Sequence, residues 1–306
     1  MDRKAKFGYE SALPHNRQMN AIRRRYGSLI LAGIFFGTTG TAQALGPDGI
    51  SAMAVGSARL IFGAALLWAF ALASAKTSMK TLVKIGSVDL WLAALGMALY
   101  QLTFFGAVRS TGVAIGTVTA LGCAPALTGI IAFIISRERP SRSWFIATII
   151  TTIGIVFLAS AKGFTHFNGI GFALAICSSA SYSLFAVVTK RALQSGAQIA
   201  DSLAKVFGLA ALIAFPFLFT GGIQTIVTVD GLLMIGWLGL IPTALAYVLY
   251  SYGLHGVPAS TASTLILAEP ATATILASVV LNESLLTRSW IGIAVVSAGL
   301  LYLSRS

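Results

Sequence analysis

Ten continuous apolar runs, at residues 28–45, 53–75, 89–108, 113–135, 144–161, 168–189, 201–220, 231–252, 258–281 and 289–304, take up most of this 306-residue chain. Most are about 18 to 24 residues long, the length an α-helix needs to cross the hydrocarbon of a bilayer. A membrane barrel would instead alternate apolar and polar positions, which these runs do not. With 57% hydrophobic and 10% charged residues, the chain has too little polar surface to coat a soluble globule of its size. The expected fold class is therefore all-α integral membrane, with ten transmembrane helices. The connections are mostly short and punctuated by Gly, Pro or Asp, as in Gly46-Pro47-Asp48-Gly49. Neighbouring helices are thus antiparallel, and function must reside in the bundle.

The net charge of +12 would point to nucleic acid in a soluble protein, but in a membrane protein the placement of the charges decides. With the amino terminus inside, the cytoplasmic segments carry sixteen Lys and Arg and the outer loops three: Arg109, Lys162 and Arg288. Both termini are therefore expected in the cytoplasm, with the bilayer as the main partner and no nucleic-acid partner. Residues 1–26 carry seven of those charges without the apolar core of a signal peptide, so a poorly ordered basic cytoplasmic tail is expected there. Met19 begins a more typical opening, so residues 1–18 read either as an extension or as preceding the true start.

Two runs carry a proline in matching positions, in Cys123-Ala124-Pro125-Ala126 and, about 145 residues later, in Leu267-Ala268-Glu269-Pro270. The surroundings repeat as well. Each proline is followed 13 residues on by a glutamate, Glu138 or Glu283, then by Arg-Ser-Trp at 142–144 or 288–290, then by a last apolar helix with Gly154 or Gly299. Five runs separate the copies, and an odd number reverses the direction of entry. Two inverted five-helix repeats are expected, at 27–161 and 162–306. Such halves can exchange conformations and open a central site to either side in turn.

These features resemble the drug/metabolite transporter superfamily in its ten-helix, EamA-like branch, from about residue 27 onward. The resemblance rests on the two halves, on Arg59-Leu60, on Ala268-Glu269-Pro270 and on Leu281-Asn282-Glu283. Phe36-Gly37 departs from the Trp-Gly of many relatives, and Ser136-Arg137-Glu138 is a poorer match to the helix ending. The resemblance implies export of small metabolites such as amino acids across the cell membrane, plasma or bacterial inner, often linked to the proton gradient.

Glu269 lies about 12 residues into its run, roughly 18 Å deep at 1.5 Å per residue. An ionised carboxylate at that depth needs a partner; otherwise it holds a proton. It is a candidate proton or substrate-amine site, or a structural contact that fixes a helix break. Arg59, about seven residues inside its own span, is the obvious partner: it pairs with Glu269, binds a substrate carboxylate or snorkels. Lys205, near a helix start, reads as a snorkelling lysine. Pro125 and Pro270 remove backbone bonds to the carbonyls of Leu121 and Ile266 and are candidate hinges. Gln43, Tyr100, Gln101, Tyr182 and Tyr247 complete the candidate cavity lining, each equally readable as packing or an interfacial anchor. Gly33-Ile34-Phe35-Phe36-Gly37 reads as close packing within the bundle.

Cys123 and Cys177 read as packing residues, and His15, His166 and His255 lack partners at metal-ligand spacing, so no metal or other cofactor is expected. The leading function is a secondary transporter exporting a small amphipathic metabolite by alternating access, with proton coupling through Glu269. A lipid or nucleotide-sugar carrier is the alternative within the class, although phosphates would call for several cavity cations. An intramembrane enzyme lacks clustered acids, bases and nucleophiles, and a channel lacks a charge ring.

Overall fold

The computed structural model describes residues 15–74, 88–161 and 168–305. Among them all regular structure is helical: α1 (His15–Ala44), α2 (Ala52–Ala73), α3 (Val88–Thr111), α4 (Ile115–Ser136), α5 (Arg142–Ala161), α6 (Gly169–Gln194), α7 (Ile199–Ala214), α8 (Val229–Leu254), α9 (Ala259–Leu281) and α10 (Thr287–Arg305). A 3₁₀ stretch, Phe215–Thr220, extends α7. Nine of the described helices, α2 to α10, are long and apolar enough to cross a membrane. The exception, α1, is diluted by Thr38, Thr39, Gly40, Thr41 and Gln43, small or polar residues in the middle of its apolar run.

Helix starts are capped by side chains. Ser51 accepts from the Ala54 N–H, Asn168 from Ile170 and Gly171, Ser141 from Trp144, and Thr228 from Gly231. Two helix ends share one device. After α4 and α9, Arg137 (φ 57°) and Asn282 (φ 55°) turn left-handed, as no other non-glycine residue does among those described. The next N–H groups reach six residues back, Glu138 to Ala132 (3.2 Å) and Glu283 to Ala277 (3.1 Å), so the left-handed residue folds the chain back onto open carbonyls of the last turns. Helical geometry runs unbroken from Val88 to Ser136, yet a Cβ on Gly116 would lie 3.1 Å from the Val108 Cα. In a straight helix those residues are about 12 Å apart at 1.5 Å per residue, so the chain doubles back between α3 and α4.

The packing is reciprocal. α1 lies against α8 and α9, α6 against α3 and α4, α2 against α7, and α5 against α10. Gly154 and Gly292 bring α5 and α10 together: a Cβ on either would lie within 3.0 Å of the other's carbonyl oxygen. Large side chains such as Tyr250, Phe185, Phe207 and Met97 are fully buried between the helices.

The expected disordered tail differs from the structure, because α1 begins at His15. Once the helix is nucleated, extending it through Ala, Met, Gln and Arg costs little. Residues 1–14, the lysines at 76, 80 and 84, and Lys162, on which part of the charge asymmetry rests, lie outside the described residues. Lys205 does not snorkel. It is 7% exposed and pairs with Asp201 at 2.9 Å, one turn earlier on α7, because that acid supplies inside the bundle what the lysine would otherwise seek in water.

Candidate functional site

The site is built around the irregularity in α9. Its helix runs over Ala259–Leu265, breaks at Ile266–Leu267 and resumes over Ala268–Leu281. Pro270 has no N–H for the Ile266 carbonyl, and the chain compensates with a tighter bond from the Glu269 N–H to that oxygen, 2.9 Å. α1 packs directly on the break. A Cβ on Gly33 would lie 2.9 Å from the Ile266 oxygen, and one on Gly37 would lie 2.7 Å from the Thr272 Cβ and 2.8 Å from the Glu269 oxygen. The Gly33-x-x-x-Gly37 pattern is therefore a seat for the broken helix within this one chain.

Pro125 behaves differently from the expected helix break, since α4 runs through it without interruption. Neighbouring carbonyls there find hydroxyls on α6: Ser179 Oγ donates to Ala120 O (2.8 Å) and Ser183 Oγ to Ala124 O (3.2 Å). The carbonyl that Pro125 leaves without a donor is that of Leu121, and the helix holds its course past this one gap. A third irregularity is a π-helical turn, Leu240–Leu245, around Pro242 in α8, where Thr243 Oγ1 donates to Leu238 O at 2.8 Å. Its signal was legible: Pro242 stands inside the run 231–252 as plainly as the other two prolines do in theirs.

Beside the α9 break lies a cavity of about 80 Å³. Seven helices line it. Gln43 comes from α1, Arg59 from α2, Tyr100 from α3, Tyr182 from α6, Tyr247 from α8 and Glu269 from α9, with Ala124 of α4 completing the wall. Six of the sequence candidates are thus brought together. Gln101 is buried but does not line the cavity, and neither Pro125 nor Pro270 does. Phe36, Phe104 and Phe105 also line it; Phe36 entered the sequence reading only as the departure from Trp-Gly, and Phe104 and Phe105 are marked only by sharing a helix with Tyr100.

The walls are aromatic and interlocked. The Tyr247 ring meets Phe36 at 4.9 Å and Phe207 at 4.6 Å between centroids, both edge to face. Tyr182 donates its hydroxyl to Tyr250 at 3.1 Å and lies 5.7 Å from the Tyr100 ring. Such packing fixes the rings and presents both hydroxyls and π faces to the space between them. The two charges face this space without pairing. No hydrogen bond or ion pair within 4 Å joins Arg59 to Glu269, and Arg59 Nε is buried without a hydrogen-bond partner. A guanidinium and a carboxyl group held apart in a small, aromatic-walled space can accept a ligand bearing complementary groups.

The sequence model of the EamA-like transporter family matches the chain twice, over residues 25–160 and 169–305. The chain is 38% identical over 277 residues to the uncharacterized transporter YwfM of Bacillus subtilis (strain 168), covering 90% of this chain and 92% of that protein. It is 27% identical over 281 residues to an uncharacterized transporter of Archaeoglobus fulgidus, covering 90% and 96%. A solved structure titled only as the crystal structure of a protein superposes with a TM-score of 0.78 over 91% of this chain and 95% of that one, and at 18% identity this shows the fold alone. The helices, the central cavity and the double family match lead to one conclusion: the chain belongs to the EamA-like transporter family of the drug/metabolite transporter superfamily and is a multi-pass membrane transporter.

Proposed function

We propose that the protein is a secondary active transporter that exports a small amphipathic metabolite, an amino acid or similar compound, by alternating access, with protons coupled through Glu269. In this reading ten helices span the plasma or bacterial inner membrane as two inverted five-helix repeats with both termini in the cytoplasm. The observation that carries it is the shared cavity, where one cation and one carboxylate face each other unpaired between aromatic walls. An amphipathic ligand with both charges satisfies both groups and lays its apolar part on the rings. The double family match and the reciprocal packing of α1 on α8–α9 and α6 on α3–α4 support the repeat. At about 80 Å³ the cavity is well below the roughly 300 Å³ of a drug-sized pocket, which fits a closed state around a small cargo. Phosphorylated cargo would need more cations than the single Arg59 at this cavity.

The test is counterflow of labelled amino acids in proteoliposomes with and without a pH gradient. Glu269→Gln is expected to abolish acceleration by the gradient while leaving gradient-independent exchange measurable. Gradient-driven transport unchanged by that substitution would remove Glu269 from the coupling path.

A further inference from the structure

We propose that Glu138, which lies outside the cavity, is a positioning residue of the transport cycle: its carboxylate latches the leading segment of α9 (Ala259–Leu265) onto α4 and α6, and opening toward the α4–α5 loop requires its release. This inference rests on the alternating-access reading above, but its test does not need the substrate.

The left-handed turn at Arg137 carries Glu138 off the end of α4. One carboxylate oxygen lies 2.6 Å from Lys190 Nζ on α6, and the other accepts the Ala259 N–H, the first of α9, at 3.1 Å. The contact is largely desolvated, with Lys190 7% and Glu138 20% exposed. A single side chain therefore ties three helices. From Ala259 onward the leading segment is bonded to α4 and α5. Ser260 O accepts from Trp144 Nε1 of α5 (2.9 Å), Ser263 Oγ bonds Thr128 of α4 (3.2 Å), and Thr264 bonds Thr148 of α5 (3.0 Å). Beyond the break, the trailing segment Ala268–Leu281 sits mainly on α1.

The break at Ile266–Leu267 thus separates a segment bonded to α4 and α5 from one held chiefly by α1. Ser263, one turn or about 6 Å from Ala259, already lines the cavity, so the leading segment is the wall between the cavity and Glu138. Opening on that side means parting this segment from α4, α5 and α6. The hydroxyl bonds along it are neutral and can be exchanged for water, whereas the Glu138 contacts are charge-assisted and partly shielded. They are the contacts whose loss shifts the equilibrium most.

The experiment uses the full chain with Cys123→Ala and Cys177→Ala and a reporter, Ser263→Cys, in membrane vesicles of each sidedness. The readout is the rate of labelling by an impermeant maleimide. Glu138→Gln and Lys190→Gln are each expected to raise labelling from the α4–α5 loop side at least about fivefold, and the double variant no further than the larger single. Asp89→Asn is the control, because Asp89 pairs with Arg191 of α6 without touching α9, and its rate is expected to stay at the parent value. Should Glu138→Gln fail to insert, Glu138→Asp keeps the charge but shortens the reach, and an intermediate rise is expected. Unchanged labelling in the Glu138 variants, or an equal rise in Asp89→Asn, overturns the proposal. Failure of the transport reading shows separately, as absence of counterflow in the parent protein.

Discussion

Substituting Gly37 by Ala tests whether the seat for the broken helix has the tolerance its geometry implies. In an ordinary helix the change stabilises, since Ala is favoured over Gly by about 1 kcal/mol. At Gly37 the new methyl would sit 2.7 Å from the Thr272 Cβ and 2.8 Å from the Glu269 oxygen. Carbon contacts prefer about 3.5–4.0 Å, so α1 and α9 must part by most of an ångström. Overpacking of that kind costs about 1–3 kcal/mol, which leaves a net loss of about 1 kcal/mol. Gly40, one turn further on the same helix, has nothing within 4 Å of its virtual Cβ, so Gly40→Ala should gain about 0.5–1 kcal/mol. The two variants should therefore separate by about 2 kcal/mol with opposite signs about the parent. The assay is retention of the monodisperse size-exclusion peak after heating in detergent, where unfolding is irreversible and rank order is the readout. The expected order is Gly40→Ala, parent, Gly37→Ala. In counterflow, Gly37→Ala should also raise KM, because the displaced backbone carries Glu269. A Gly37→Ala protein as heat-resistant as Gly40→Ala would refute the argument from close approach.

Two further substitutions test the helix irregularities. Pro270→Ala restores an N–H for the Ile266 carbonyl; it should straighten α9, raise heat resistance and slow counterflow, whereas Pro125→Ala, in a helix that is already unbroken, should alter transport far less. Arg137→Gly relieves a left-handed conformation that costs a residue with a Cβ about 1 kcal/mol, so it should raise heat resistance by an amount equivalent to about 0.5–1 kcal/mol in the same assay without disturbing the Glu138 contacts.

What could be read from the sequence was what the bilayer imposes on it. Apolar runs must be helices because no water is available to the backbone, and for α2 to α10 their ends fall within a few residues of where the structure places them, whereas α1 begins well before its run. Glu269, Arg59 and the tyrosines could be singled out because polar groups in such runs are costly. Their convergence on one cavity could not be read, because it depends on which face of each helix turns inward. The different outcomes at Pro125 and Pro270 were hidden for a related reason. The sequence shows a missing donor at both, but the helix runs on past the first and breaks before the second, a difference set by the packing around each and not by the proline. Glu138 was visible as a repeat marker, yet its reach to Lys190 and Ala259 spans three helices and follows only from their assembly.

The offset of about 145 residues that relates Pro125 to Pro270 also relates Arg137 to Asn282 and Ala124 to Glu269, and the last two both line the cavity. Matching positions thus carry different chemistry. At the α4–α6 crossing, serine hydroxyls are hydrogen-bonded to backbone carbonyls, and such bonds hold only over a narrow range of distance and angle. At the α1–α9 crossing, Gly33 and Gly37 touch the backbone through van der Waals contact, which changes little when one helix slides along the other. Of the two crossings the second has less to lose from movement. It also holds the break in the helix and the only acid at the cavity among the described residues. If Glu269 is the coupling site proposed above, a proton taken up there changes the charge on the element with the looser crossing, while the matching position on α4, Ala124, carries none.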